Sequence, residues 1–361
     1  MEDILTINDR LPGSRYGREE RKRLFTASVE VTGRCNATCS YCHFFATRDR
    51  KKVAYDIPFS QFDAYMHFLR YWKEKIEGEL SYRFSGGEAL VMGDRLFDYS
   101  NHGYKITGIK PFILSVGKSL DQKWVDKAKV NSVSHVFVSV ENPINPDKGA
   151  PDPKKIIEKI RRLHNEDLPI IAGVCVVPNS NFKDLLFICD WFYENLGYIP
   201  AIAEVNYDVY QPIKEFEWTA LESNLEAVYK KYYGITQLNL FHSVSPELNY
   251  RGSDPYIFSL DLENSYKITI DNYYEKIFDV VENLSGRNYP SLQCENTNCD
   301  WWEFCDNTKW YWQGDHNNAK SLKLNDYCRF KRMLNDTFYK LIVDPEHKNN
   351  ELGIFDCSPV V

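Results

Sequence analysis

Three cysteines stand close together in the run Cys35-Asn-Ala-Thr-Cys39-Ser-Tyr-Cys42, a C-x3-C-x2-C spacing. Composition alone gives about 0.008 such fixed-spacing triplets, so coincidence is a poor explanation. Three thiolates on one short loop can converge on a metal centre. Iron–sulfur clusters are held by thiolates, normally four. Three from one loop point to a 4Fe–4S cluster with one iron left open. A catalytic metal keeps such an open position and a structural one closes it. Structural zinc, with a fourth ligand such as His43, competes for the same residues.

A second constellation is Ser85-Gly86-Gly87-Glu88. Two glycines permit positive φ and close backbone approach. Exposed carbonyls beside a carboxylate suit a ligand's ammonium group, though a tight turn alone would explain the glycines. A third lies near the C-terminus. Cys294, Cys299 and Cys305 are spaced C-x4-C-x5-C, and Cys328 follows. Four thiolates can close a cluster completely, and a four-cysteine zinc site satisfies the spacing too. Cys357 is a spare or a substitute. Cys175 and Cys189 sit in apolar segments and read as core.

The elements that must position these residues alternate. Phe25–Thr32, Leu80–Phe84, Ile109–Val116, Val133–Val140, Pro169–Val177 and Ile199–Val205 read as strands. Helices are expected from a Ser60 cap carrying Phe62, Met66, Leu69 and Ile76, and from a Ser119 cap carrying Trp124, Val125 and Ala128. Two more carry Ile156, Ile157, Ile160 and Leu163, and then Leu185, Cys189, Phe192 and Leu196. This alternation predicts an α/β fold, a parallel sheet with right-handed crossovers, either an open sheet or a partial (β/α)6 barrel. Its functional surface lies beyond the carboxyl ends of the strands, where the Cys35 loop and the Gly86–Glu88 turn both fall. A further helix carries Leu221, Leu225, Val228 and Tyr232, and Tyr266–Ile270 reads as a short strand. The expected organisation is an N-terminal extension over 1–24, the barrel over 25–215, a bridging region over 216–265 and a loop-rich, cysteine-containing domain over 266–361.

The chain has 361 residues, 43% of them apolar and 15% aromatic, which is ordinary globular composition. Its formal charge of −7 argues against broad nucleic-acid binding. No apolar run approaches a membrane span, and the polar N-terminus lacks a signal core, so a cytoplasmic protein is expected. Ten cysteines in that compartment are more readily ligands than disulfides.

The cysteine run, with the aromatic Tyr41 just before its third cysteine, resembles the signature of the radical S-adenosylmethionine enzymes. The resemblance extends in organisation over residues 25–205. It implies that Cys35, Cys39 and Cys42 hold the cluster, that S-adenosylmethionine chelates the open iron, and that Tyr41 packs near the adenine. Gly86, Gly87 and Glu88 then match the family's motif for the methionine amino group. Ser139, in Ser139-Val140-Glu141-Asn142, matches a stretch that binds cofactor polar groups, although Glu141 stands where Asp is commoner. Ser115-Val116-Gly117 departs from the family's Thr-Asn-Gly. Gly173 either passes beneath the adenine or belongs to a plain buried strand. The C-terminal cysteines resemble the SPASM or twitch auxiliary-cluster extension, with Cys294, Cys299, Cys305 and Cys328 as ligands of one auxiliary 4Fe–4S cluster rather than two.

The implied activity is formation of a 5′-deoxyadenosyl radical that abstracts hydrogen from a peptide or protein side chain. The expected outcome is a crosslink or dehydrogenation during ribosomal peptide or protein maturation. The expected partner is an electron donor such as flavodoxin or ferredoxin. With little chain before Cys35, leader recognition is expected from the barrel, the C-terminal region or a separate leader-binding protein. The alternatives are a small-molecule dehydrogenase acting on an amino sugar or cyclitol, and a non-enzymatic zinc or iron–sulfur interaction protein.

Overall fold

The computed structural model describes residues 23–40, 42–46, 49–75, 78–164, 167–176, 182–204, 218–233 and 258–260, with a few isolated positions beyond. The chain divides into two compact units. One is built on Lys22–Val174 and Asp254–Tyr289, the other on Cys175–Ser253 with the two chain ends.

The first unit is the expected parallel α/β architecture. Its strands are β1 (Arg23–Thr32), β2 (Gly78–Gly86), β3 (Phe112–Ser115), β4 (Val136–Val140) and β5 (Ile170–Val176). Their order is β5-β4-β3-β2-β1, every neighbouring pair parallel. A three-residue strand, Phe258–Leu260, adds to the free edge of β1. It follows β6 (Ala201–Glu204) in the chain and is β7. A short helix, α1 (His43–Ala46), follows the cysteine run. Four crossover helices return the chain between strands or lead into them: α2 (Phe59–Lys75), α3 (Arg95–Thr107), α4 (Gln122–Val130) and α5 (Pro153–Leu163).

The apolar spacing of α2 does what was expected. Phe62, Met66 and Leu69 are fully buried, and each contributes about 1.5–3 kcal/mol on leaving water. Ile76 lies outside the described residues. Phe62 packs against Phe84 of β2 and Tyr99 of α3, with ring centroids 5.8 and 4.8 Å apart.

Two caps differ from expectation. Ser60 lies inside α2, which starts at Phe59. Ser119 does not cap α4. Asp121 does, its Oδ1 accepting the Trp124 N–H at 2.8 Å, because a residue three positions before that donor has the reach a cap needs. The strands are mostly shorter than their apolar runs, as at β3. Helix α3, for which no expectation was formed, is largely polar in sequence. It buries Leu96, Phe97 and Tyr99. A Cβ on its Gly103 would stand 2.4 Å from the Tyr82 hydroxyl, so glycine lets this helix lie close on the sheet.

In the second unit, α6 (Leu185–Leu196) and α7 (Trp218–Tyr232) pack together. Tyr232 donates to Asp190 at 2.5 Å, and Asn224 accepts the Leu186 N–H at 3.2 Å. Cys189 is buried on the apolar face of α6, as its pattern predicted. Among the described residues no helix is long and apolar enough to cross a membrane.

Candidate active site at the carboxyl ends of the strands

Because β1 and β2 are parallel and adjacent, their carboxyl ends bring the cysteine loop and the Gly86–Glu88 turn together. The Gly87 N–H donates to the Thr32 carbonyl at 2.7 Å, and the Glu88 N–H to the Arg34 carbonyl at 2.8 Å. The contact is too close for side chains. A Cβ on Gly86, whose φ is +115°, would stand 2.3 Å from the Thr32 carbonyl oxygen. One on Gly87 would stand equally close to that of Arg34. The glycines thus let two backbones interlock one residue before Cys35.

The Glu88 carboxylate is turned inward. It is 1% exposed. Oε1 accepts from the Leu90 N–H at 3.1 Å and the Ser115 hydroxyl at 2.8 Å, and Oε2 accepts from the Val116 N–H at 2.7 Å. Burial pushes its pKa above the usual carboxylate range against the pull of those three bonds. In this structure the carboxylate ties β2 to the end of β3.

Cys35, Cys39 and Cys42 are half-buried free thiols on the loop after β1. The Ala37 N–H points at Cys35 Sγ, 3.4 Å away, and the Cys42 N–H donates to the Cys39 carbonyl at 3.3 Å. Burial pushes both the Cys35 and Cys39 thiols up, Cys39 to about 11, and neighbouring cysteines add to the rise.

The loop is clamped from outside. Thr38 N–H donates to Gly149 O at 2.9 Å. Asp147 accepts from the Ser40 backbone and hydroxyl. Lys118 Nζ donates to the Asn36 carbonyl at 2.7 Å, and Asn36 Nδ2 donates to the Ser119 hydroxyl at 2.8 Å. Before the loop, Asp56 accepts from Arg34 Nε at 2.9 Å, from Arg95 at 2.8 Å and from Thr32 at 2.7 Å. None of these holding residues has a local sequence signal. Each pairing joins positions at least 22 apart.

Ser139 is exposed near the end of β4. Gly173 faces it in the neighbouring strand, and a Cβ there would stand 2.2 Å from the Phe137 ring. Packing of Phe137 therefore accounts for that glycine. Tyr41, Cys294, Cys299, Cys305, Cys328 and Cys357 lie outside the described residues, as does Tyr266–Ile270.

Among the described residues no three His, Cys, Asp or Glu side chains converge on a single metal ion. The donor set still fits a multi-iron cluster, which places its thiolates on different irons. It offers three free thiols on one loop, near enough for their charges to act on one another. Two buried amide atoms at this end of the sheet, Asn36 Oδ1 and Asn142 Nδ2, lack a partner among the described residues. Such orphans are what a site built for a polar ligand leaves in its absence.

Fold and site together define a parallel α/β protein with a three-cysteine loop at the carboxyl end of its sheet. Residues 29–192 match the Radical SAM superfamily. The matched stretch, just under half of the chain, holds both the cysteine loop and the Gly86–Glu88 turn. No curated protein matches it. Among solved structures, native anSMEcpe with bound AdoMet aligns at a TM-score of 0.60 and 14% identity, over 90% of this chain and 100% of that one. Native anSMEcpe with bound AdoMet and Cp18Cys peptide aligns at 0.59 and 15%, over 90% and 99%. Streptococcus suis SuiB bound to precursor peptide SuiA aligns at 0.42 and 15%, over 68% and 51%. At these identities the likeness to anSMEcpe is one of fold.

Proposed function

We propose that this protein is a radical S-adenosylmethionine enzyme that oxidatively modifies a peptide or protein side chain. The observation that carries the reading is the interlock of the three-cysteine loop with the Gly86–Gly87 turn at the carboxyl ends of β1 and β2. Cys35, Cys39 and Cys42 would hold a 4Fe–4S cluster with one open iron, and the Gly86–Glu88 turn, Ser139 and Tyr41 would contact the cofactor. When bound, the cluster would supply the one electron for reductive cleavage of S-adenosylmethionine into methionine and a 5′-deoxyadenosyl radical, the agent of hydrogen abstraction from the substrate. The chain's own task is to hold the thiolates, orient the cofactor and keep water from the reacting carbon. The fold shared with anSMEcpe, which binds a peptide, supports a peptide substrate here. Cys294, Cys299, Cys305 and Cys328 would hold one auxiliary cluster, able to accept an electron from the substrate radical. An electron donor such as flavodoxin or ferredoxin would deliver the initiating electron, in a cytoplasm that keeps these thiols reduced.

The test is release of 5′-deoxyadenosine from anaerobically reconstituted protein under dithionite, with and without mixed-sequence peptides. Release by wild type, its loss in Cys39→Ala and its stimulation by peptides are expected. Release unaffected by Cys39→Ala would refute the assignment. Stimulation by amino sugars and not by peptides would overturn the substrate class.

A further inference from the structure

The cysteine loop is gripped by an arginine that no motif singles out. Arg50 Nη1 donates to the Ala37 carbonyl at 2.9 Å. Its guanidinium carbon lies 3.9 Å from the centroid of the Phe45 ring, and Phe45 packs edge-on against Phe44 with centroids 4.8 Å apart. Ala37 lies between Cys35 and Cys39, so the cation stands against the stretch joining two of the three thiols. It is half-buried, which reduces the screening that water gives to exposed charges. Stacking and hydrogen bonding fix the planar group in one place, the use for which arginine differs most from lysine.

Charge decides what this placement does. Arg50 donates to the carbonyl midway between Cys35 and Cys39 and is held there by the Phe45 ring, so its positive charge stands beside both thiols. Three thiolates around a cluster gather negative charge, and each added electron increases it. A cation held in place stabilises the state with more negative charge the most.

We propose that Arg50 is the fixed counter-charge of the cysteine loop and makes the cluster bound there easier to reduce. The proposal rests on the cluster reading given above. Arg50 acts through the cluster and its loop without touching substrate, so it is a positioning and tuning residue. A purely mechanical role would run through the Ala37 hydrogen bond alone. The two roles separate, because glutamine keeps a donor for that carbonyl without the charge, and lysine keeps the charge without the fork.

The experiment is a redox titration of the anaerobically reconstituted full chain, followed by electron paramagnetic resonance. The signal of Cys35→Ala/Cys39→Ala/Cys42→Ala protein is subtracted, and iron is counted in every sample. At the wild-type midpoint potential, Arg50→Gln is expected to hold wild-type iron while its reduced-to-oxidised ratio falls about tenfold. For one electron that is a shift of about 59 mV to more negative potential. Arg50→Lys is expected to recover most of the shift. An Arg50→Gln midpoint equal to that of wild type overturns the proposal. Equal iron loss in both variants, with an unchanged midpoint in the loaded fraction, also overturns it and leaves only the mechanical role. Wild-type protein that takes up no iron overturns the cluster reading and this proposal with it, a result visible before any Arg50 variant is made.

Discussion

Replacing Glu88 by alanine tests whether its carboxylate is a strut between β2 and β3. The side chain is 1% exposed and accepts from two backbone N–H groups and one hydroxyl. Removing it orphans the Leu90 and Val116 N–H groups inside the protein, while the Ser115 hydroxyl can rotate to another acceptor. A buried donor left without a partner costs about 1–3 kcal/mol. Two of them set an expected loss of about 2–6 kcal/mol in unfolding free energy. Glu88→Gln keeps one acceptor oxygen and loses less. The pH dependence has a definite sign. A carboxyl whose folded pKa is raised contributes stability below the ordinary glutamate range, and that contribution disappears as pH rises through the folded value. Glu88→Gln should flatten this decline. The assay is urea unfolding of the metal-free protein across the acidic to neutral range, with the m-value checked for constancy. A Glu88→Ala protein as stable as wild type, at unchanged m, would refute the reasoning. If that variant also failed to bind S-adenosylmethionine, the carboxylate would belong to the ligand.

Three further outcomes follow from the same geometry. Gly149→Ala places a Cβ 2.1 Å from the Thr38 carbonyl oxygen. It should push the 141–152 loop off the cysteine loop and lower iron retention on gel filtration while the far-ultraviolet dichroism stays unchanged. Asp56→Asn weakens the charge-assisted bonds to Arg34 and Arg95. A loss of about 1–3 kcal/mol is expected in urea unfolding, at the lower end because both arginines are solvent-exposed. Burial holds the His135 pKa below the usual histidine range, so its contribution is present above that range and is lost as pH falls through the folded value. His135→Phe keeps the stack on Phe112, now 4.8 Å between centroids. Its melting temperature should fall less than that of wild type between neutral pH and about pH 5.

The sheet was legible in the sequence because buried parallel strands are apolar, β-branched runs, as at Val136–Val140. The cysteine loop was legible because cysteines are rare and their spacing here is local. The glycines of the Gly86–Glu88 turn were legible as a turn, and their reason emerges only in the fold, where they clear the Thr32 and Arg34 carbonyls. Helix α3 escaped because its apolar residues are few and Gly103 interrupts a helical pattern, although that glycine fits the packing against Tyr82. Strand β7 escaped because three residues carry no usable periodicity. The clamps on the loop escaped for a different reason. Asp56, Asp147, Gly149, Lys118 and Arg50 act on the loop from other segments, and a single sequence does not reveal such pairings.

The most direct test of the central claim is iron and sulfide content beside electron paramagnetic resonance, on anaerobically reconstituted wild type and on Cys35→Ala/Cys39→Ala/Cys42→Ala. The account predicts about four more irons per chain in wild type than in the triple variant. It also predicts a reduced-state spectrum that changes on adding S-adenosylmethionine in wild type alone. Equal iron in the two proteins, or a wild-type spectrum indifferent to S-adenosylmethionine, would contradict it.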